Sequence, residues 1–391
     1  MSFSYREAIV LAGGFGTRLA HVVPDVCKPM APVAGRPFLR FVMDNLAKAH
    51  FDHVVIADGY RREQIESYFG ESYRGIRIDY SSEVSPLLTG GATKQALAKC
   101  NSDWVFVLNG DTWLDLDFDE MAAVAESLPD FVQAVVAVKR MFDFERYGTV
   151  GVDDDGTLVA FHEKDYCKDG LINAGVYLIR RDSLDDMPKA FSLESDWFER
   201  VVSDDVLCAV ECAGDFIDIG VPDDYALAQD MFKPMAKEWK LALFDRDGTI
   251  NVDTGHLYEP EKLELIPSTV DIMRRYSEDP DFKIVIVTNQ AGIAKGLYTE
   301  ADMRKLHHCI DNELNELGVR VDAWYFCPHH PDYTGVCKCR KPEPGMLLAA
   351  MRDFDASPDD CVMYGDKATD EAAAKAAGVS FRWVGKEVAC D

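Results

Sequence analysis

Short apolar runs alternate with amphipathic segments along the whole chain. Residues 8–12, 54–57 and 104–108 are three such runs, and each gives way within two residues to a Gly or an Asp. Apolar runs bounded by turn residues are typical of buried strands, and the segments that follow them have helical spacing. The alternation of strand and helix predicts the α/β class with mainly parallel sheets.

The pattern restarts near residue 240. Residues 232–240 are mostly polar and include Pro234, and a new apolar run follows at 241–244. A chain of 391 residues is the right length for two domains of ordinary size. We therefore predict two doubly wound α/β domains, residues 1–235 and 236–391.

Charge and composition exclude several classes of protein. The chain has 41 Lys and Arg against 68 Asp and Glu, a net charge of −27. Nucleic acids and anionic membranes are bound through basic patches, so we expect neither as a partner, although a few placed cations can still hold a phosphate substrate. No signal peptide or membrane-spanning run is apparent, and the 11 cysteines are mostly scattered. We expect a reducing, cytoplasmic location; the oligomeric state stays open.

A glycine-rich turn follows the first predicted strand. Residues 13–18 read G-G-F-G-T-R, and glycines let the backbone approach a phosphate chain closely. The turn is neither a dinucleotide fingerprint nor a Walker A loop. Lys28-Pro29-Met30 and then Gly35-Arg36-Pro37 come next.

The order L-A-G-G-F-G-T-R-L, K-P-M, G-R-P resembles the sugar-phosphate nucleotidylyltransferases, over about residues 5–230. In that family a sugar 1-phosphate oxygen attacks the α-phosphorus of a nucleoside triphosphate and pyrophosphate leaves. The resemblance implies catalytic roles for Arg18 and Lys28. It also implies nucleotide or sugar contacts for Gly13, Gly14, Gly16, Thr17, Gly90, Gly91, Asn109, Asp111, Glu163, Lys164, Asn173, Gly175 and Asp218.

Within that set, Gly90 and Gly91 are expected beside the base or ribose. Asp111 and Asp218 follow or end predicted strands, where carboxylates face the crevice of an α/β sheet, so we expect them to hold Mg²⁺. Considered without the other motif residues, Asp111 also fits the role of a helix cap. Many relatives have Gly where this chain has Leu88, which leaves base recognition open.

The second domain begins with a phosphatase-like motif. Residues 245–249 read D-R-D-G-T, and Thr288-Asn289, Lys341 and Asp366 follow in order, as in the haloacid dehalogenase-like phosphatases that they resemble. We expect Asp245 to attack phosphorus and Asp247 to act as acid and base. We expect Mg²⁺ to be held by Asp245, Asp366 and the carbonyl of Asp247. Thr288 and Asn289 would bind the phosphoryl oxygens while Lys341 balances their charge, and Asp370 would support the metal or cap a helix.

Four metal-ligand residues lie within 13 positions near the C-terminal side of this domain. They are Cys327, His329, Cys337 and Cys339, a set typical of structural zinc. His330 is an alternative to His329. Arg340 and Lys341 follow the last cysteine, so the metal would fix two cations at the mouth of the phosphatase site, with Arg340 contacting substrate.

The motif C-P-H-H-P with C-K-C-R-K-P is similar to the heptose 1,7-bisphosphate phosphatases, and histidinol-phosphate phosphatases are the alternative. The first domain is similar to the heptose 1-phosphate guanylyltransferases. Together the resemblances imply a bifunctional enzyme that converts heptose 1,7-bisphosphate through heptose 1-phosphate to GDP-heptose, with GTP as donor, for bacterial surface glycans. Another sugar phosphate or another triphosphate stays open. A scaffold with one inactive domain is disfavoured because the lysine and carboxylate positions are filled in both halves.

Overall fold

The computed structural model describes residues 6–14, 19 and 21–385. The chain forms two compact units, the first ending at Ala236 and the second beginning at Lys237. The sequence-predicted boundary lies one residue from this division. None of the helices in the described part of the chain has the length and apolar character needed to span a membrane.

The first unit is built on a ten-stranded mixed sheet. Its strands and those of two small two-stranded sheets are β1 Glu7–Leu11, β2 Pro32–Val33, β3 Arg36–Pro37, β4 His53–Ala57, β5 Ser72–Tyr73, β6 Ile76–Tyr80, β7 Trp104–Asn109, β8 Thr112–Leu114, β9 Ala134–Phe144, β10 Gly148–Val152, β11 Leu158–Lys164, β12 Cys167–Arg180, β13 Leu207–Glu211 and β14 Phe216–Asp218. The helices are α1 Phe38–Lys48, α2 Arg62–Phe69, α3 Leu88–Leu97, α4 Phe118–Ser127, α5 Glu199–Val201 and α6 Pro222–Met231.

The centre of this sheet is parallel, in the order β7-β1-β4-β6. Beyond β7 the pairing becomes antiparallel, because β12 runs against both β7 and β9. The α/β class is confirmed, but parallel pairing in this first sheet is limited to the four central strands and the β9–β13 pair. Alternate residues of β1 enter different clusters, Ala8 and Val10 on one side and Ile9 on the other, so both faces of the sheet are buried.

The second unit has a five-stranded, fully parallel sheet in the order β17-β16-β15-β18-β19. These strands are β15 Lys240–Phe244, β16 Phe282–Asn289, β17 Ala323–Cys327, β18 Cys361–Gly365 and β19 Ser380–Trp383. The helices are α7 Pro267–Ser277, α8 Ala291–Ala294, α9 Glu300–Glu316, α10 Pro331–Thr334, α11 Gly345–Phe354 and α12 Ala368–Ala377.

Helices cover both faces of this second sheet. Leu241 and Leu243 pack with residues of α11 and α12, whereas Ala242 and Phe244 pack with residues of α7 and α9. The chain first forms β16 and β17 on one side of β15 and then crosses to form β18 and β19 on the other side. In doubly wound sheets the ligand crevice lies where the strand order reverses, at the carboxyl ends of the strands. The ends of β15, β16 and β18 therefore mark the candidate site.

Candidate active sites

A cavity of about 650 Å³ opens at the carboxyl ends of β1 and β7 in the first unit. Gly13 and Gly14 line it from the turn after β1, and Asn109 and Asp111 line it from the end of β7. Lys28, on a short 3₁₀ turn, completes one wall. Five residues predicted from the sequence therefore share one cavity.

Lys28 carries the positive charge of this cavity wall. Its Nζ contacts the Asp111 carboxylate and lies 3.3 Å from Asp218 Oδ1, and its side chain is 10% exposed. Asp218 Oδ1 also accepts the Gly220 N–H at 2.7 Å. A Cβ at Gly220 would lie 2.9 Å from Lys28 Nζ, so glycine leaves room for the ammonium. The fold thus joins a cation and two carboxylates that are far apart in sequence.

Asn173 and Gly175 lie behind Asn109. Gly175 approaches so closely that a Cβ would stand 2.6 Å from Asn109 Nδ2. Asn173 Oδ1 accepts the Gly175 N–H at 2.9 Å, and its Nδ2 donates to the Tyr177 hydroxyl at 3.0 Å. The Tyr177 hydroxyl donates in turn to Glu194 Oε1 at 3.3 Å. Asn173 and Gly175 therefore shape the wall around Asn109, and Glu194 itself lines the cavity.

Gly90 and Gly91 pack against a distant part of the chain. Both lie inside α3, and their N–H groups donate to the Phe191 carbonyl at 2.9 and 3.1 Å. A Cβ on Gly90 would overlap the Phe191 ring, and a Cβ on Gly91 would overlap the Lys189 carbonyl. The glycines let the helix pack closely against residues 189–191, and their predicted approach to the base or ribose stays a prediction.

Sequence reasoning missed Glu83, Tyr60 and Thr89, which also line the cavity. The Glu83 Oε2 accepts the Leu87 N–H at 2.9 Å, which fixes the carboxylate at the start of α3. No sequence motif includes these three residues. The position at which this chain has Leu88 and many relatives have Gly does, however, lie at the same cavity. Leu88 has φ +61°, a left-handed conformation in which glycine is unstrained, and it lines the same cavity.

Several of the predicted residues either lie outside the described part of the chain or do not line the cavity. Gly16, Thr17 and Arg18 lie outside the described residues, as does the side chain of Glu163. Lys164 is exposed at the end of β11, opposite Gly148 of β10.

In the second unit, Lys341 is enclosed by carboxylates at the carboxyl end of β15. Its Nζ donates to Asp245 Oδ1 at 2.5 Å and to the Val287 carbonyl at 2.8 Å, and it lies 2.7 Å from Asp370 Oδ1. Asn289 at the end of β16 bonds both main-chain groups of Lys341 at 3.0 Å. The Asn289 side chain thus holds the lysine in place, a different contact from the phosphoryl oxygens predicted for it.

Burial and neighbouring charges shift both members of this pair. Burial raises the pKa of Asp245 to about 6 and outweighs the opposing effect of Lys341. Burial acts to lower the pKa of Lys341, but the carboxylates of Asp245 and Asp370 outweigh it, and the pKa is raised. Lys341 therefore keeps its positive charge, although the residue is only 3% exposed.

Three carboxylates of this site form a group with metal-ligand geometry. Oxygens of Asp245, Asp366 and Asp370 all lie within 4.8 Å of one another. Burial raises the pKa of Asp366 as well as that of Asp245. Gly248 has φ +92°, and a Cβ there would overlap Asp366. Of its two predicted roles, Asp370 has the helix cap, because its Oδ2 accepts the Lys367 N–H at 3.1 Å at the start of α12, whereas its support of a metal stays a prediction.

Asp247 faces a different set of partners. Arg246 donates from Nε and Nη2 to both carboxylate oxygens at 2.9–3.0 Å. Gln290 donates from Nε2 to Asp247 Oδ2 at 3.0 Å and to Thr288 Oγ1 at 2.8 Å, and Asn251 donates to Asp247 Oδ1 at 3.2 Å. These donors fix the carboxylate orientation and tie it to the end of β16. Gln290 and Asn251 were not predicted from the sequence.

A cysteine–histidine cluster follows β17. The Cys327 Sγ lies 3.2 Å from Cys339 Sγ and 3.6 Å from Cys337 Sγ, and His329 Nδ1 lies 3.3 Å from Cys339 Sγ. All four ligand atoms lie within 4.8 Å of one another. Thiolates around a tetrahedral zinc are ~3.8 Å apart, so the cluster fits a bound ion.

Within the cluster, the hydrogen bond with Cys327 lowers the pKa of the Cys339 thiol to about 5, which favours the thiolate that binds metal ions. The alternative ligand His330 instead accepts the Asp332 N–H at 3.3 Å and lies outside the group. Arg340 donates to the His329 carbonyl at 3.1 Å, so the cluster is linked to the arginine that precedes Lys341.

Comparisons with known proteins agree with this geometry. A nucleotidyl transferase family model matches residues 7–232, and an HAD-hydrolase-like model matches residues 338–390. The D-glycero-alpha-D-manno-heptose 1-phosphate guanylyltransferase of Campylobacter jejuni is 41% identical over 224 residues, covering 56% of this chain and 96% of that protein. The D-glycero-beta-D-manno-heptose-1,7-bisphosphate 7-phosphatase of Escherichia coli strain K12 is 43% identical over 153 residues, covering 38% of this chain and 80% of that protein.

One solved structure with a bound nucleotide analogue matches the first unit. HddC from Yersinia pseudotuberculosis, complexed with GMP-PN, is 32% identical with a TM-score of 0.52, and the match covers 58% of this chain and 100% of that one. Both resemblances noted in the sequence are therefore confirmed. The chain belongs to the nucleotidyl transferase family through its first unit and to the HAD-like phosphatases through its second.

Proposed function

We propose that the protein is a bifunctional enzyme that removes the 7-phosphate of D-glycero-D-manno-heptose 1,7-bisphosphate and then transfers GMP from GTP to the heptose 1-phosphate. The observation that carries the proposal is that each unit holds a lysine among carboxylates at a strand-end crevice, Lys28 in one and Lys341 in the other. Relatives of the two units are named for heptose 1-phosphate and for heptose 1,7-bisphosphate, which are consecutive compounds when both have the same anomeric configuration.

In the phosphatase unit, an Asp245 oxygen attacks the phosphorus of the 7-phosphate and forms an aspartyl-phosphate. Asp247 donates a proton to the leaving sugar oxygen and then removes one from the water that cleaves the acyl phosphate. Lys341 offsets the negative charge of Asp245 and of the phosphoryl oxygens, while Thr288 and the main chain after β16 bind those oxygens. Asp245, Asp366 and the Asp247 carbonyl would hold Mg²⁺, which supplies further charge neutralisation.

In the transferase unit, an oxygen of heptose 1-phosphate attacks the α-phosphorus of GTP and pyrophosphate leaves. Such a reaction is accelerated mainly by positioning and charge neutralisation. The glycine turn at Gly13 and Gly14 receives the triphosphate, and Lys28 faces the α-phosphate. Asp111 and Asp218 would hold Mg²⁺, which would supply further neutralisation of the phosphate charge.

Glu83 supports the choice of guanine. Guanine presents two adjacent donors, N1–H and the 2-amino group, and a carboxylate is the side chain that accepts from both. Glu83 lines the nucleotide cavity and is fixed by the Leu87 N–H. We expect Glu83→Gln to reduce the preference for GTP over ATP, because the amide loses one of the two acceptor oxygens. GTP also agrees with the analogue bound to HddC.

Zinc at Cys327, His329, Cys337 and Cys339 would be structural, because all four positions are protein ligands and no open position is left for substrate. Reduced thiols are needed for such a site, which supports a cytoplasmic location. The product would serve the assembly of bacterial surface glycans such as lipopolysaccharide.

The two reactions can follow one another only if both units use the same anomer of the sugar phosphate. The guanylyltransferase relative is named for the alpha anomer and the phosphatase relative for the beta anomer. We infer that the phosphatase unit of this chain takes the alpha anomer, because only that product can enter the first unit's reaction.

The test supplies each bisphosphate anomer, Mg²⁺ and each of GTP, ATP, CTP and UTP, and measures phosphate, pyrophosphate and nucleotide sugar. We expect GDP-heptose from the alpha anomer with GTP. Faster turnover of histidinol phosphate, or a nucleotide sugar formed with another triphosphate in preference to GTP, would contradict the corresponding half of the proposal.

A further inference from the structure

Arg246, between the two aspartates of the D-R-D-G-T motif, is fully buried. Its guanidinium makes three donor contacts with the Asp247 carboxylate at 2.9–3.0 Å, and Nη2 also donates to the Leu257 carbonyl at 3.0 Å. A guanidinium has five donors and no acceptor. Its remaining terminal nitrogen, Nη1, therefore requires an acceptor inside the core.

That acceptor is His307. Arg246 Nη1 lies 3.2 Å from His307 Nε2, and the imidazole, on α9, is 5% exposed. Because the guanidinium only donates, His307 Nε2 must carry a lone pair and the ring must be neutral. Burial, and then the charges of Arg246, Arg304 and His308, lower the pKa of His307 well below its ordinary value, in agreement with that form.

The orientation of the His307 ring is fixed from two elements. The ring stacks on Trp324 of β17 with centroids 3.9 Å apart and planes 16° apart. Trp324 Nε1 donates to both oxygens of Asp311 at 3.0 and 3.1 Å, and Asp311 lies one helical turn beyond His307 on α9. The aspartate thus holds the tryptophan against which the imidazole rests.

We propose that His307 is a positioning residue for phosphoryl transfer: its Nε2 lone pair orients Arg246, and Arg246 sets the orientation of the Asp247 carboxylate. Gln290 supports the other side of that carboxylate, and the Tyr298 hydroxyl donates to Gln290 Oε1 at 2.6 Å. Loss of the acceptor would leave a buried donor of Arg246 without its partner, so the guanidinium would rotate and Asp247 would turn with it. The inference rests on the proposed phosphatase activity.

Three substitutions of His307 distinguish the loss of its hydrogen-bond acceptor from the loss of its stacking on Trp324. His307→Phe keeps a ring on Trp324 and removes the acceptor. His307→Gln keeps an acceptor at a similar reach and removes the stack, and His307→Asn carries the same amide one methylene shorter. Tyr276→Phe is the matched control, because it removes a part-buried side-chain hydrogen bond of the same unit, Tyr276 to Tyr364 at 3.0 Å, that involves neither Arg246 nor Asp247.

We expect kcat for heptose bisphosphate to fall about 30-fold to 100-fold in the Phe and Asn variants, because small misplacements of a catalytic group have effects of that size. KM should stay within about twofold, since no substrate contact is removed. The Gln variant should keep kcat within about threefold of wild type, and Tyr276→Phe should match wild type.

The leaving group provides a readout that a general loss of structure would not reproduce. In single turnovers with p-nitrophenyl phosphate, whose leaving group needs little protonation, the Phe and Asn variants should lose only a few-fold. Equal losses on both substrates would overturn the inference, as would wild-type kcat in His307→Phe, or a folded Gln variant as slow as Phe. A wild-type protein without phosphatase activity would instead contradict the proposed function.

Discussion

Replacing Lys28 with alanine removes a cation from the wall of the proposed nucleotide cavity. The Lys28 side chain is 10% exposed, so its ammonium acts in a site from which most water is excluded. At about 4 Å from a phosphate charge, it contributes about 4 kcal/mol at an effective dielectric near 20, against about 1 kcal/mol in water. The difference of about 3 kcal/mol corresponds to a rate loss of about 150-fold.

The assay measures pyrophosphate release from GTP and heptose 1-phosphate at saturating substrates. The same preparation is tested for phosphate release from heptose bisphosphate, which should be unchanged because Lys341 and Asp245 lie in the other unit. Lys28→Arg is the matched variant: it keeps the charge in a different shape and should recover part of the rate. A transferase rate in Lys28→Ala close to wild type, with unchanged Michaelis constants, would refute the reasoning.

Three further predictions follow from the second unit. Asp245→Asn should abolish phosphate release and leave nucleotidyl transfer from preformed heptose 1-phosphate intact; equal loss of both activities in folded protein would contradict the assignment. Metal analysis should find about one zinc per chain, lost in Cys337→Ser, and zinc-free wild type purified without chelator would exclude the site. Because the fold lowers the pKa of His307, the unfolded chain binds a proton below about pH 6.5 that the folded chain does not. Stability should therefore fall by about 1.4 kcal/mol per pH unit below pH 6.5 through this residue, and urea unfolding of His307→Gln at pH 5–7 should lack that contribution.

The carboxylates proposed for catalysis could be predicted because such groups commonly follow strands in α/β folds, and the proposed lysines could be predicted because they belong to motifs that resemble known families. Asp245 follows β15 and Asp111 follows β7, as the apolar runs before them indicate. The supporting residues could not be predicted in this way. Gln290, Asn251 and His307 were given no role from the sequence, because amides and histidines at such positions are compatible with many surroundings.

Gly90 and Gly91 show the limit of a motif without coordinates. A pair of glycines signals a close approach, and the sequence does not say what approaches. The structure shows that the approaching group is the chain at residues 189–191, about 100 positions further on, and that the nucleotide cavity is lined instead by Leu88, Thr89 and Ala92 of the same helix.

The sequence by itself determined the α/β class, and it predicted the division near residue 236, the candidate catalytic groups and the four candidate metal ligands, because strand periodicity and ligand spacing are local properties. Only the tertiary structure decided which charges meet: Lys28 with Asp218, Lys341 with Asp370, and Arg246 with His307. Each of these pairs spans tens to hundreds of residues, so it depends on how strands and helices pack. Packing also sets the burial that raises the pKa of Asp245 and lowers that of His307.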